Sequence, residues 1–356
     1  MSEHVIVLGA GASVQAGGPT TGTFLDEAEK ILKKAPLSDN DKRDFQLVFN
    51  GLAALENAHA NAQLETTNIE AVFAAFEMAK LIGHLQDMKE EEVDRLPNAM
   101  RKMIQRTLEY CILFNQHKDG DRAFVPPPEP YQRFTALVDK LGTDDVSVIT
   151  FNYDLCADYA FYYARTPITY CLDDKQNNYL KLLKLHGSLN WIRCVNCGKI
   201  DPWYMADYFN KYHWDFYSRN TLRLQMSVQF KDRPCCGQLA EEAMIVPPTW
   251  NKAQYHDQLG KVWRAAAQEL LTAENIYVFG YSLPQSDYFF RYLYALGRTT
   301  KVRLKRFWVC DPVKAVEERF LGLLGPSARG RFDFFENNFD DALLSVAHRF
   351  NKQLDH

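Results

Sequence analysis

Five apolar runs in this chain each end in residues able to do chemistry. Residues 5–8 give way to Gly9, Ala10, Gly11, Ala12 and Ser13, and residues 146–151 to Asn152, Tyr153 and Asp154. Residues 180–185 lead to His186, Gly187 and Ser188, residues 275–279 to Gly280, Tyr281 and Ser282, and residues 306–310 to Asp311. Gathered in one crevice, these would supply small residues, hydroxyls, an amide, two carboxylates and a histidine, a set that suits a ligand bearing ribose and phosphate. The glycines at 9 and 11 allow a tight turn and let amide donors approach an anion, and a helix starting just beyond adds its positive end. An Asn positions water without competing for its proton, and a His takes a proton from a hydroxyl or water near neutral pH.

Each group also has an ordinary structural use. Asn152 and Asp154 are both suited to capping a helix that starts near Leu155. His186 alone reads as a satisfied core histidine, and Gly280 and Ser282 as turn residues ahead of Pro284. Recurrence at five successive run ends is what favours a shared site.

The elements that must position these residues alternate in type. Strands are expected at 146–151, 180–185, 275–279 and 306–310 besides the first, with an edge strand at 331–335. Helices are expected at 24–34, 131–141, 257–271, 287–296 and 313–324. The expected fold class is α/β: a Rossmann-like, mainly parallel sheet with helices on both faces, whose ligands bind beyond the carboxyl ends of the strands. A dehydrogenase would place a second strand, ending in a ribose-binding acid, about 20 residues past its glycines. Here helical spacing runs through 40–64, 68–85 and 98–114 instead, and Val14 stands where a third glycine belongs. We therefore read 1–356 as a single catalytic domain interrupted by a helical insertion at 38–125, which the Pro126, Pro127, Pro128 and Pro130 connector closes, and by a small Cys-containing module at 192–245.

At 356 residues and 47% hydrophobic, the chain can bury a large core, and its net charge of -4 gives no general attraction to nucleic acid or anionic membranes. A basic run of Arg298, Lys301, Arg303, Lys305 and Arg306 reads as a solvated strand edge rather than a nucleic-acid patch. No signal peptide and no apolar stretch near the roughly 20 residues of a membrane span is present, so a cytoplasmic location is expected. Four of the eight cysteines, Cys111, Cys156, Cys171 and Cys310, sit singly in apolar segments as small buried hydrophobes. The others cluster. Cys194 and Cys197, with Gly198 behind them, have the bite of half a zinc site. Cys235 and Cys236 are adjacent, with Arg233 where a second spaced pair would begin. A structural zinc on all four thiols, a zinc on three cysteines and His213, and a metal-free cluster of reduced thiols all remain open.

In order and spacing, Gly-Ala-Gly-Ala-Ser at 9–13, Thr-Phe-Asn-Tyr-Asp at 150–154, Leu-His-Gly-Ser at 185–188 and Gly-Tyr-Ser-Leu at 280–283 resemble the motif series of the sirtuins. A Cys pair lies where sirtuins carry a zinc module. The resemblance implies NAD+ as a substrate, with its pyrophosphate on Gly9, Gly11 and Ser13 and the loop lined by Ala10 and Ala12. Asn152 would orient the nicotinamide ribose or a water, Asp154 the carboxamide, and His186 would be the general base. Gly280 and Ser282 would meet phosphate or adenine ribose, with Asp311 an acceptor for that ribose. Three departures bear on the reaction. Residues 18–22 lack the acid and Arg that follow the glycine loop in sirtuin deacylases, Met244, Ile245 and Val246 lead into Pro247 and Pro248 where an acylated peptide would pair, and Phe151 replaces their usual Gln. The NAD+ site is thus kept and the peptide site damaged.

The chain is accordingly similar to the bacterial sirtuin-like NADases of antiphage defence, and we expect hydrolysis of NAD+ to nicotinamide and ADP-ribose. The alternatives are a protein deacylase or ADP-ribosyltransferase, and a subunit that only senses NAD or ADP-ribose. A toxic hydrolase needs restraint, so homo-oligomerisation or a regulatory defence partner such as an ATPase is expected to use the insertion.

Overall fold

The computed structural model describes residues 2–58, 64–120, 122–173, 178–194, 196–211, 220–226, 234–236, 238–239, 243–246, 253–284, 288–297 and 304–354. The main strands are β1 (His4–Leu8), β2 (Val146–Thr150), β3 (Ile168–Thr169), β4 (Leu180–Lys184), β5 (Gly187–Arg193), β6 (Ile200–Pro202), β7 (Ala243–Ile245), β8 (Asn275–Phe279), β9 (Arg306–Cys310) and β10 (Phe332–Phe335). The helices are α1 (Phe24–Lys34), α2 (Asp39–Ala58), α3 (Ile69–Ile82), α4 (Glu90–Cys111), α5 (Glu129–Leu141), α6 (Cys156–Tyr163), α7 (Met205–Lys211), α8 (Ala253–Thr272), α9 (Tyr288–Gly297), α10 (Ala315–Leu323), α11 (Pro326–Arg329) and α12 (Phe339–Leu354).

Seven strands form one parallel sheet in the order β10-β9-β8-β1-β2-β4-β3, flanked by helices in a Rossmann-like arrangement. Every residue of β1, β2 and β8 is buried, as strands covered on both faces must be, which explains their unbroken apolar runs. The register places Lys184, Thr150, Leu8, Phe279 and Cys310 in one row across five strands. The next residue of each strand therefore leaves the sheet at the same level. The chain passes from β1 to β2 on one side and returns to β8 on the other, so the crevice above β1 is the topological switch point where such sheets bind ligands.

The helix expected directly after the glycine turn is a short 3-10 helix, Ala10–Ala16. Gly17 ends it at φ 92, and a Cβ there would sit 2.4 Å from the Cys111 carbonyl oxygen, so the turn is pinned to the end of α4. The helix expected at 98–114 starts earlier and ends sooner, as α4. It runs through Pro97 because Val93, Leu96, Met100 and Met103 form one buried stripe, whose packing outweighs the hydrogen bond that proline forfeits. Phe114–Asn115 instead pairs with Thr221–Leu222. The helix expected at 287–296 is α9, its expected first residue, 287, lying outside the described residues. The edge strand β3 and the short helices α7 and α11 were not expected, and neither were two larger features. One is α12, whose start is capped by Asn338 Oδ1 accepting from the Asp341 amide at 3.1 Å. The other is the antiparallel sheet β7-β5-β6, which the chain enters soon after β4 through Gly187, at φ 85.

Helices α2 and α3 pack on α4, and α1 also lies against α4. In α3, Asn68 Oδ1 accepts from the amides of Glu70 (2.8 Å) and Ala71 (3.4 Å), and Gly83 at φ 68 ends the helix. Among the described residues no helix is long and apolar enough to cross a membrane.

Candidate active site

The glycine turn after β1 meets the turn after β8 backbone to backbone. A Cβ on Gly9 would lie 2.5 Å from the Gly280 carbonyl oxygen, one on Gly11 2.7 Å from the Gly280 Cα, and one on Gly280 2.6 Å from the Ala12 nitrogen. Gly280 also holds φ 59, so no side chain fits it on either count. The amides at 9, 11 and 12 are consumed in this contact, donating to Phe279 O, Gly280 O and Gly9 O at 3.0, 2.9 and 3.0 Å. These glycines thus serve the packing of two turns, and an anion is left the other donors of the loop.

Ser13 sits at the centre of a buried cluster. Its hydroxyl donates to Asp154 Oδ2 at 2.7 Å and accepts from Asn152 Nδ2 at 3.2 Å. With its one proton given to Asp154, it must also accept from the Tyr131 hydroxyl, 3.1 Å away. Burial pushes the Tyr131 phenol well above its ordinary range, keeping it a donor. Asn152 Nδ2 donates again to Gly9 O at 2.8 Å, and Asp154 Oδ1 accepts from the Cys156 amide at 2.9 Å. Asp154 thus bonds the first amide of α6 with one oxygen and Ser13 with the other. Tyr131 lies inside the amphipathic pattern of α5, where its ring looks like core; nothing local in the sequence marks its hydroxyl.

Above this cluster opens a cavity of about 490 Å³. Of the expected ligand residues, Ala10, Gly11, Ser13, Asn152, Asp154, Gly280, Ser282 and Asp311 line it, whereas Gly9 and Ala12 lie behind the wall. Asp311 Oδ1 accepts from the Val313 amide at 2.9 Å, and burial raises its carboxyl above the usual range. The far wall comes from the helices between α1 and α5: Ile69, Glu70 and Phe73 of α3, and Ile104 and Leu108 of α4. The sequence reading gave these helices to outside partners, because apolar spacing shows that a face is buried and not against what. Among the described lining residues there are three carboxylates, Glu70, Asp154 and Asp311, and no Lys, Arg or His.

His186 is the catalytic candidate that the structure does not bring to the wall. It is 2% exposed, its ring 5.1 Å from that of Phe151 in an edge-on contact, and Phe151 itself lines the cavity, stacked on Tyr281 at 4.2 Å. The His186 carbonyl accepts from the Val246 amide at 2.8 Å, and the Val246 carbonyl accepts from the Tyr153 hydroxyl at 3.1 Å. Both main-chain groups of Val246 are thus committed within the fold. Pro247 and Pro248 lie outside the described residues.

Below the cavity, Lys184 Nζ donates to the Asp154 carbonyl at 2.6 Å and to Asp158 Oδ2 at 2.8 Å. Tyr170 donates to Asp158 Oδ1 and accepts from Asn190 Nδ2 at 2.8 Å, and Ser188 donates to Asn190 Oδ1 at 2.6 Å. This network ties the turn after β2 to β5.

Apart from the cavity, Cys194, Cys197 and Cys236 bring their Sγ atoms within 4.8 Å of one another. Gly198, at φ 70, donates its amide to the Cys194 carbonyl at 2.8 Å, closing a tight knuckle. Three thiols at this separation fit three corners of a tetrahedral zinc site. The Cys235 side chain, Arg233 and His213 lie outside what is described.

No family model matches the chain, and no curated protein matches it. Among solved structures, a Sir2 homolog in complex with NAD is 14% identical, with a TM-score of 0.42, over 99% of this chain and 91% of that one. A structure titled for the mechanism and regulation of Sir2 enzymes is 15% identical, with a TM-score of 0.42, over 99% and 94% of the two chains. Sir2Tm bound to a propionylated peptide is 14% identical, with a TM-score of 0.38, over 98% and 93%.

Proposed function

We propose that this chain hydrolyses NAD+ to nicotinamide and ADP-ribose. The observation that carries the reading is the cavity itself: a switch-point crevice whose described lining holds three carboxylates and no cationic side chain, beside the Ser13–Asn152–Asp154 cluster. NAD+ enters with a cationic pyridinium, and breaking its bond to ribose C1′ moves that charge onto the sugar. An anionic lining favours both cations over the neutral nicotinamide that leaves. In this reading water bonds to C1′ as the C1′–N bond breaks, the bond's electron pair returns to the ring nitrogen, and the water proton passes to a base. Asn152 holds the water, Asp154 the carboxamide, and the Ser282 hydroxyl the ribose or phosphate, while the Ser13 hydroxyl, its proton and both lone pairs spent on Asp154, Asn152 and Tyr131, holds Asn152 and Asp154 in place. His186 is the base only if the Phe151 ring swings off it. Water is favoured over an acylated peptide as acceptor because the Val246 backbone, where such a strand would pair, is already bonded to His186 and Tyr153.

Incubating the chain with NAD+ and no acylated peptide, followed by chromatography, is expected to show nicotinamide and ADP-ribose rising in equal amounts. Release that appears only with an acyl-lysine peptide would make it a deacylase. Saturable ADP-ribose binding with no release would make it a sensor.

We also propose that Cys194, Cys197 and Cys236 hold a structural zinc ion, whose contribution is to fold the knuckle. Atomic emission is expected to find about one zinc per chain, and strong chelation to lower the thermal midpoint by at least about 5 °C. Metal-free protein that melts at the same temperature with and without chelator would refute this.

A further inference from the structure

A second cleft opens at the opposite end of the sheet. Arg306 is the first residue of β9 and Phe332 the first of β10, whereas Asp311 of the candidate active site follows the last residue of β9. At the rise of a strand the two ends are roughly 16 Å apart. Arg306, Arg331, His348, Arg349 and Lys305 line this cleft, with Asp333 as its only acid among the described residues. β9, the loop before β10 and α12 each contribute, so Lys305 and Arg306, which looked like part of a solvated strand edge in the sequence, belong to a concave site, the rest of that basic run lying outside the described residues.

The cations differ in how far they are already satisfied. Lys305 pairs with Glu274, and Arg306 Nη1 donates to Asn275 Oδ1 at 2.8 Å. Arg331 and Arg349 make no ion pair among the described residues. Arg349 is nonetheless held in place: its guanidinium carbon lies 4.3 Å from the centre of the Phe335 ring and 5.6 Å from that of Trp308. Stacking fixes the plane of a guanidinium and leaves its N–H edge for a partner, the geometry that binds phosphate oxygens in pairs. Trp308 is buried beneath these cations, so it offers no face for a base to stack on.

We propose that this cleft is a phosphate-binding site, separate from the candidate active site, that takes either the backbone of a nucleic acid or a free nucleoside polyphosphate. Recognition is through phosphate oxygens and is indifferent to base identity. With two to four phosphates engaged, the logarithm of affinity for a single strand falls with that of salt at a slope of about -1.4 to -2.8.

The test uses the full chain, a fluorescein-labelled 20-nucleotide single-stranded DNA of mixed sequence read by anisotropy, and ATP as competitor. Saturable, salt-sensitive binding is expected, weakened at least about tenfold by Arg331→Glu and further by adding Arg349→Gln, with the thermal midpoint and any NAD+ turnover unchanged. Displacement of the DNA by millimolar ATP would identify the polyphosphate source, and resistance to ATP the extended backbone. Arg331 is exposed, so its variant keeps the test valid even if loss of the Arg349 stack perturbs folding. No saturable binding of either probe in 50 mM salt, or binding indifferent to Arg331→Glu, would overturn the proposal.

Discussion

Asn152→Ala is expected to lower NAD+ turnover by about 10²–10³-fold while leaving ADP-ribose binding within a few-fold of the parent. The hydrogen bonds assign the two ends of this side chain. A carbonyl oxygen can only accept, so the atom 2.8 Å from Gly9 O is the amide nitrogen, and its second proton is directed to Ser13 Oγ at 3.2 Å. Both protons are spent, and Asn152 lines the cavity, so what it offers a ligand is the Oδ1 acceptor. A water donating a proton to that oxygen is oriented with a lone pair free for the sugar carbon. Removing the side chain loses this orientation together with two internal hydrogen bonds, which cost about 1–2 kcal/mol of stability, so turnover is compared at equal folded fraction. Asn152→Asp is the sharper variant. It keeps an acceptor but turns a carboxylate toward the Gly9 carbonyl, so it is expected to lose stability as well as rate. A kcat within threefold of the parent for Asn152→Ala, in folded protein, would remove Asn152 from the mechanism.

The parallel sheet was legible because its strands are buried on both faces, which forces apolar runs, and because polar residues follow those runs at one level. Asn275–Phe279 and Arg306–Cys310 coincide with their expected bounds for this reason, and Phe24–Lys34 does because its buried Phe24, Leu25, Ala28 and Ile31 recur at helical spacing. The β7-β5-β6 sheet was not legible. Ser188 and Asn190 break its apolar pattern, and both are buried as members of the network around Tyr170 rather than turned to solvent. The site was read in the same partial way. Run ends named Ser13, Asn152 and Asp154, but the burial of His186 behind Phe151 depends on a ring contact between two turns, and the donation from Tyr131 on a helix more than 100 residues from Ser13. The glycine turn illustrates the limit best. Its composition permits either a phosphate cradle or a close backbone crossing, and only the position of Gly280 decides how its amides are used.

Lys184→Ala is expected to destabilise the fold by about 3–5 kcal/mol, read by urea denaturation. Lys184 and Asp158 form an ion pair whose side chains are 1% and 0% exposed. Such a pair is tolerable only when its remaining valences are filled, and here Nζ also serves the Asp154 carbonyl while Tyr170 serves the second Asp158 oxygen. Truncating the lysine strands a buried carboxylate and a buried carbonyl together. Replacing both partners, as Lys184→Met with Asp158→Leu, removes the stranded charge and is expected to recover much of the loss, since a buried pair and a well-packed apolar substitute are often of similar stability. The double variant still loses the tie to the Asp154 carbonyl. Asp154 is two residues from Asn152, so the recovered fold is expected to keep a raised KM for NAD+ or a lowered kcat, separating what Lys184 does for stability from what it does for the turn. A single-variant loss under about 1 kcal/mol would mean that water reaches the pair and that the turn after β2 is held by its other hydrogen bonds, those to Gly9, Ser13, Cys156 and Val246, without Lys184.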